Sequence, residues 1–130
     1  MNYLIDTDIL IDWLRGKKFA ARFFRETKGI LYYSSITRKE LLAGCNDTAE
    51  REQVLNLLRT MRIVRIDPII ALKASELNER YANSSLHKAD SLIAATAWVK
   101  KLVLVTRNRK HFEFVDEIQM SVPKPETEDP

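Results

Sequence analysis

Short apolar runs alternate along this chain with stretches in which apolar residues return every three or four positions. The runs are NYLI (2–5), ILYYSS (30–35), IVRI (63–66), LVLVT (102–106) and IQMSV (118–122), each of strand length. Between them the period changes. ILIDWL (9–14) reads as a short helix stopped at Gly16, and FAARFFRE (19–26) as a helix with Phe19, Phe23 and Phe24 on one side. A helix starts near Thr37. Over 50–62, Val54, Leu57, Leu58 and Met61 stand at i, i+3, i+4 and i+7, an amphipathic helix. Pro68 favours a helix start, and Ile70, Ala74, Leu77 and Tyr81 continue it. The stretch 86–100 is the last expected helix. Strands separated by helices predict an α/β fold with parallel β-α-β units and helices on both sheet faces.

Composition changes this picture little. At 130 residues, 45% hydrophobic and 30% charged, the chain fits one soluble domain, expected over 1–122. The remainder, 123–130, is proline-rich and acidic and is expected to be disordered. A single cysteine, Cys45, excludes an internal disulfide and any cysteine metal framework. The N-terminus has no basic segment before an apolar one, and no run approaches the roughly 18–20 apolar residues that span a bilayer. A reducing cytoplasm is expected.

Charge changes it more. The net charge of +3 divides unevenly: residues 1–112 carry 20 of the 21 Lys and Arg and 12 of the 18 acids, whereas 113–130 carry one Lys and six acids. A basic body favours an anionic partner, nucleic acid before membrane.

In open parallel sheets, sites form beyond the carboxyl ends of the strands. The residues there are Asp6, Thr7 and Asp8 after the first run, and Thr37 and Glu40 after the second. Thr106, Arg107 and Asn108 follow the fourth, and Asp90 opens the helix before it. Each has an ordinary reading. Asp6 and Asp8 suit a helix N-cap, and TRKE (37–40) matches a capping box in which Glu40 reaches back to the Thr37 amide. Asp90 suits a helix N-terminus, and Thr106 and Asn108 suit a turn. As a set, three acids converging on one sheet edge would repel one another without a cation between them. All-oxygen ligation suits Mg²⁺ or Mn²⁺.

Four segments, YLIDTDILID (3–12), SSITRKELLAG (34–44), KADSLIAATA (88–97) and LVTRNRKHF (104–112), resemble those of the PIN-domain family, in the family's order. The similarity is to its VapC-like toxins. It implies a three-layer α/β/α sandwich around a mainly parallel sheet and Mg²⁺- or Mn²⁺-dependent endoribonuclease activity. It places Asp6, Glu40 and Asp90 on the acidic catalytic and metal positions, and Thr106 and Asn108 on a T-x-N turn. Asp8 stands where Asn is more usual, and His111 where many members carry a fourth acid. Of a metal ligand, a phosphate contact and a bystander, the contact is the favoured role for His111; His87 reads as a helix-start or surface residue. Arg38, Lys39, Arg107, Arg109 and Lys110, next to these residues in the chain, are candidate phosphate contacts. The resemblance also implies an RNA substrate, a small antitoxin with a DNA-binding domain, and a homodimer to which the aromatic segments FFRE and ILYY could contribute. Two other readings stay open: a catalytically dead PIN-like interaction module, and a haloacid-dehalogenase-like phosphatase.

Overall fold

The computed structural model describes residues 1–124. In it the apolar runs become β1 (Tyr3–Ile5), β2 (Leu31–Ser34), β3 (Arg62–Val64), β4 (Val103–Val105) and β5 (Gln119–Ser121). They form one sheet in the order β3-β2-β1-β4-β5, with every pair parallel. The helices are α1 (Thr7–Leu14), α2 (Lys18–Glu26), α3 (Ser35–Ala43), α4 (Thr48–Leu58), α5 (Pro68–Arg80), α6 (Lys88–Lys100) and α7 (Arg109–Phe112).

Strand alternation divides the core in two. Leu4 and Leu104 face a cluster with Ile70, Ala74 and Leu77 of α5 and Ile93, Ala94 and Ala97 of α6. Ile5 and Val105 face the opposite cluster, with Ile9 and Leu10 of α1, Phe19 of α2, Leu41 of α3 and Val54 and Leu57 of α4. The result is the expected α/β/α sandwich. In α6, Ser91, Ala94, Ala95, Thr96 and Ala97 are buried, and their small side chains let α6 lie close against α5. The two buried hydroxyls are satisfied within the helix: Ser91 donates to the Lys88 carbonyl and Thr96 to that of Leu92, each at 2.7 Å.

Several expected boundaries shift, and one element is new. The helix expected near Thr37 starts at Ser35, with Ser34 as its N-cap accepting from the Ile36 amide. Thr37 therefore lies inside α3, and the capping box expected of TRKE does not form. The helix expected over 86–100 begins at Lys88, with Leu86 outside it and His87 extended as its N-cap. α7 was not anticipated. Phe19 is buried, and Phe23 and Phe24 pack edge-to-face with each other and with Tyr3 and Trp13. These aromatics thus have partners within the chain. Among the described residues no helix is long and apolar enough to cross a membrane. From residue 125 onward the acidic tail lies outside the described residues.

The chain runs outward from β1 through β2 to β3, then returns to the other side of β1 for β4 and β5. The order reverses between β1 and β4. A crevice opens beyond the carboxyl ends of strands at such a switch point.

Candidate active site

Asp6 is the first residue past β1, and its amide donates to the Val105 carbonyl of β4 at 2.9 Å. It is also the N-cap of α1, with Oδ1 accepting from the Thr7 amide at 2.8 Å. The ordinary reading of Asp6 as a cap is therefore met, and one oxygen remains. That oxygen, Oδ2, accepts from the Thr106 hydroxyl at 2.8 Å. Thr106 is fully buried and its own Oγ1 accepts from the Asn108 amide at 3.0 Å. The T-x-N turn thus works through Thr106 as a relay, donating to the acid and accepting from the turn. Asn108 contributes backbone contacts here, and its side chain makes no cap to α7.

Asp8 lies on α1 with Oδ2 accepting from the Arg107 amide at 2.9 Å, while Thr106 Oγ1 is 3.4 Å away. Its Oδ1 is buried without a hydrogen-bond partner. One helical turn on, the buried Asp12 is gripped by the guanidinium of Arg107 through Nε and, at 3.2 Å, through Nη2. Arg107, a candidate phosphate contact, clamps α1 with its side chain and orients Asp8 with its amide. Asp12 was not anticipated.

Glu40 is exposed on α3 and accepts through Oε1 from the Thr7 hydroxyl at 2.9 Å. The same hydroxyl lies 2.9 Å from Oγ1 of the buried Thr37. A threonine has one hydroxyl proton, and the carboxylate is the stronger acceptor for it. Glu40 is therefore tied to the start of α1, beside Asp6 in the chain.

Asp90 stands in the first turn of α6. Its Oδ2 is buried and has no hydrogen-bond partner, although His111 Nδ1 lies 3.2 Å away. His87, the N-cap residue of α6, makes no side-chain cap, and its ring meets that of His111 edge-to-face with centroids 5.3 Å apart. Among the described residues, the three donors that approach within 4.8 Å of one another are those of His87, Asp90 and His111; Asp6 and Glu40 are not in that group. His87 is exposed, as expected of a helix-start residue, but it also faces His111.

Burial and repulsion from neighbouring acids act together on Asp6 and Asp8. Burial raises the pKa of Asp6 from 3.8 to about 7, with Asp8 and more weakly Asp90 adding to it against the Thr106 and Thr7 hydrogen bonds. Asp8 is raised too, chiefly by burial, against the amide and charge of Arg107. Two acids that resist ionisation, with Asp8 Oδ1 and Asp90 Oδ2 buried and accepting no hydrogen bond, offer hard oxygen donors to a cation.

A family model for the PIN domain matches residues 3–118. The chain is 36% identical over 120 residues to "Ribonuclease VapC10" of Mycobacterium tuberculosis, covering 89% of this chain and 90% of that protein. It is 32% identical over 122 residues to "Ribonuclease VapC1" of Methanocaldococcus jannaschii, covering 92% and 85%. Among solved structures, a toxin–antitoxin complex from Klebsiella pneumoniae superposes with a TM-score of 0.83 at 29% identity, covering 95% of this chain and 98% of that one. VapBC2 from Rickettsia felis, bound to a DNA fragment from its promoter, superposes with a TM-score of 0.84 at 20% identity, covering 95% and 100%, a likeness of fold.

Proposed function

This chain belongs to the PIN-domain family, and from that premise we propose that it is a divalent-cation-dependent endoribonuclease, the toxin half of a toxin–antitoxin pair. The observation that carries the reading is the pair of buried carboxylate oxygens that accept no hydrogen bond, Asp8 Oδ1 and Asp90 Oδ2. They flank an Asp6 that holds its proton up to about pH 7. Asp6, Asp90 and Glu40 would hold Mg²⁺ or Mn²⁺. A bound cation neutralises the acids, polarises a phosphodiester and makes water nucleophilic near neutral pH.

The chain's own part is positional. Thr7 and Thr106 fix the two oxygens of Asp6, and Arg107 fixes Asp8 through its amide. Glu40, tethered through Oε1, leaves Oε2 to orient an attacking water. Attack by water needs no 2′-hydroxyl, so cleavage leaves a 5′-phosphate and a 3′-hydroxyl. Arg38, Lys39, Arg109 and Lys110 lie next to the site residues in sequence and supply positive charge for the flanking phosphates.

The proposed partner is a small antitoxin with a DNA-binding domain, a reading supported by solved relatives that are toxin–antitoxin complexes. A groove of about 580 Å³ lined by Trp13, Leu14, Phe24, Leu31 and Leu57, with Gln53, Asn56 and Thr60 beside them, offers a part-apolar seat for such a chain. The proposed setting is the cytoplasm, where RNA and antitoxin are both present.

The test is direct. Purified protein is incubated with RNA in EDTA and then with added Mn²⁺ or Mg²⁺, and the new ends are mapped. Cleavage that begins on addition of the ion, leaves 5′-phosphates and is lost in a folded Asp90→Asn variant is expected. Equal cleavage in EDTA, or by Asp90→Asn, sinks the reading. Hydrolysis of phosphomonoesters without RNA cleavage assigns the site to a phosphatase instead.

A further inference from the structure

The two histidines of this chain stand together with Asp90, and the proposed all-oxygen site has no task for such a set. Donor atoms of His87, Asp90 and His111 lie within 4.8 Å of one another. In a tetrahedral zinc site with bonds of 2.0–2.2 Å, neighbouring donors sit about 3.4 Å apart. The Asp90 Oδ2 to His111 Nδ1 separation of 3.2 Å already has that spacing. His87 requires a small inward turn of an exposed ring whose side chain caps nothing.

Two further observations point the same way. Asp90 Oδ2 is closed off from solvent and accepts no hydrogen bond, and its contact with His111 Nδ1, at 3.2 Å, is an ion pair only when that imidazole carries a proton. A cation between them gives each a partner. The backbone around them is also fixed from both sides. Ser85 Oγ donates to the Lys110 carbonyl at 2.9 Å, fastening the turn before His87 to the short helix that carries His111. The Ser91 amide donates to the His87 carbonyl at 2.9 Å and starts α6 there.

We propose that His87, Asp90 and His111 form a binding site for a borderline first-row transition cation, Zn²⁺ foremost, with a fourth position open to water. Two imidazoles and one carboxylate suit Zn²⁺ and Co²⁺, and they are poor ligands for Mg²⁺. Asp90 then belongs to two donor sets, one all-oxygen and one imidazole-rich. A consequence that rests on the proposed nuclease follows: Zn²⁺ held by the histidines withdraws Asp90 from the oxygen set and inhibits RNA cleavage.

The experiment titrates the metal-free full chain with Zn²⁺ by calorimetry and with Co²⁺ by visible absorption, whose intensity reports low coordination number. Expected are one strong site per chain and the intense bands of a four- or five-coordinate ion. His87→Ala and His111→Ala should each weaken Zn²⁺ binding at least tenfold, since even residues behind a ligand shift affinity 10–100-fold. His87→Gln serves if His87→Ala fails to fold. The His87 variants are also expected to keep cation-dependent RNA cleavage and to lose its inhibition by Zn²⁺. The assignment is overturned if wild type binds no Zn²⁺ at this stoichiometry, or if the His87 variants bind it as tightly as wild type. Zn²⁺ binding that depends on both histidines in a protein that cleaves no RNA upholds this site and rejects only the nuclease.

Discussion

Asp6 binds its proton more tightly in the folded chain than in the unfolded one, because burial, Asp8 and Asp90 all oppose its charge. The stability gained from that proton is present below the unfolded pKa near 3.8 and is lost as pH rises through about 7. In EDTA, wild type should therefore lose stability relative to Asp6→Asn between about pH 4 and 7, by up to about 1.4 kcal/mol per pH unit. Urea midpoints for the two proteins across that range check this; a difference that does not vary with pH refutes it. Glu40 makes a separate case. Glutamine at position 40 can still accept from the Thr7 hydroxyl, so Glu40→Gln should melt within about 0.5 kcal/mol of wild type, as surface changes do. Its RNA cleavage should fall at least tenfold, the low end of what a positioned acid or base contributes. Comparable rates would leave Glu40 as a surface tether. Asp6, Asp8 and Glu40 stood out in the sequence because they follow the first two strands, where sheet sites form. The rival capping-box reading failed because SSIT offers several possible caps, and burial of Thr37 chose Ser34.

At the scale of elements, one ion pair joins two pieces of chain that share no local signal. Asp12, on α1, and Arg107, between β4 and α7, are separated by 95 residues, and their pairing holds the turn after β4 against α1. Asp12 is almost fully buried whereas Arg107 is half exposed. Removing Arg107 leaves a buried unpaired carboxylate; removing Asp12 leaves a cation that can turn to water. Arg107→Ala should thus destabilise by about 2–3 kcal/mol, Asp12→Ala by less, and the double variant by less than their sum. Additive losses in denaturant melts would show that the two do not interact. Nothing in IDWLRG betrays this, since Asp12 stands four residues after Asp8 and reads as a helix-surface acid. The same holds for His87, whose neighbour His111 is brought to it only when α7 forms. Strands and the longer helices were legible because their apolar period is local; α7 has four residues, too few to carry a period.

At the scale of the whole molecule the body is basic, with 20 Lys and Arg against 12 acids over residues 1–112. If Arg38, Lys39, Arg109 and Lys110 meet RNA phosphates, the logarithm of binding strength falls with the logarithm of salt by about 0.7 for each phosphate on a single strand. Arg109→Ala with Lys110→Ala should lower that slope by roughly 1.4 and leave the melting temperature unchanged, as filter binding over a salt series would register. An unaltered slope would remove both residues from the RNA path. The sheet order carries a consequence in time. β1 pairs first with β2, residues 31–34, on one side, but its other neighbour, β4, comes from residues 103–105. The Asp6–Thr106 hydrogen bond closes over 100 residues of chain. At ribosomal rates of about 5–20 residues per second, Asp6 waits roughly 5–20 s for Thr106 to be made. During that interval the growing chain has half of its crevice and no Thr106 to hold Asp6. If the chain is the nuclease proposed above, its site is therefore incomplete while it is still beside the ribosome's own RNA.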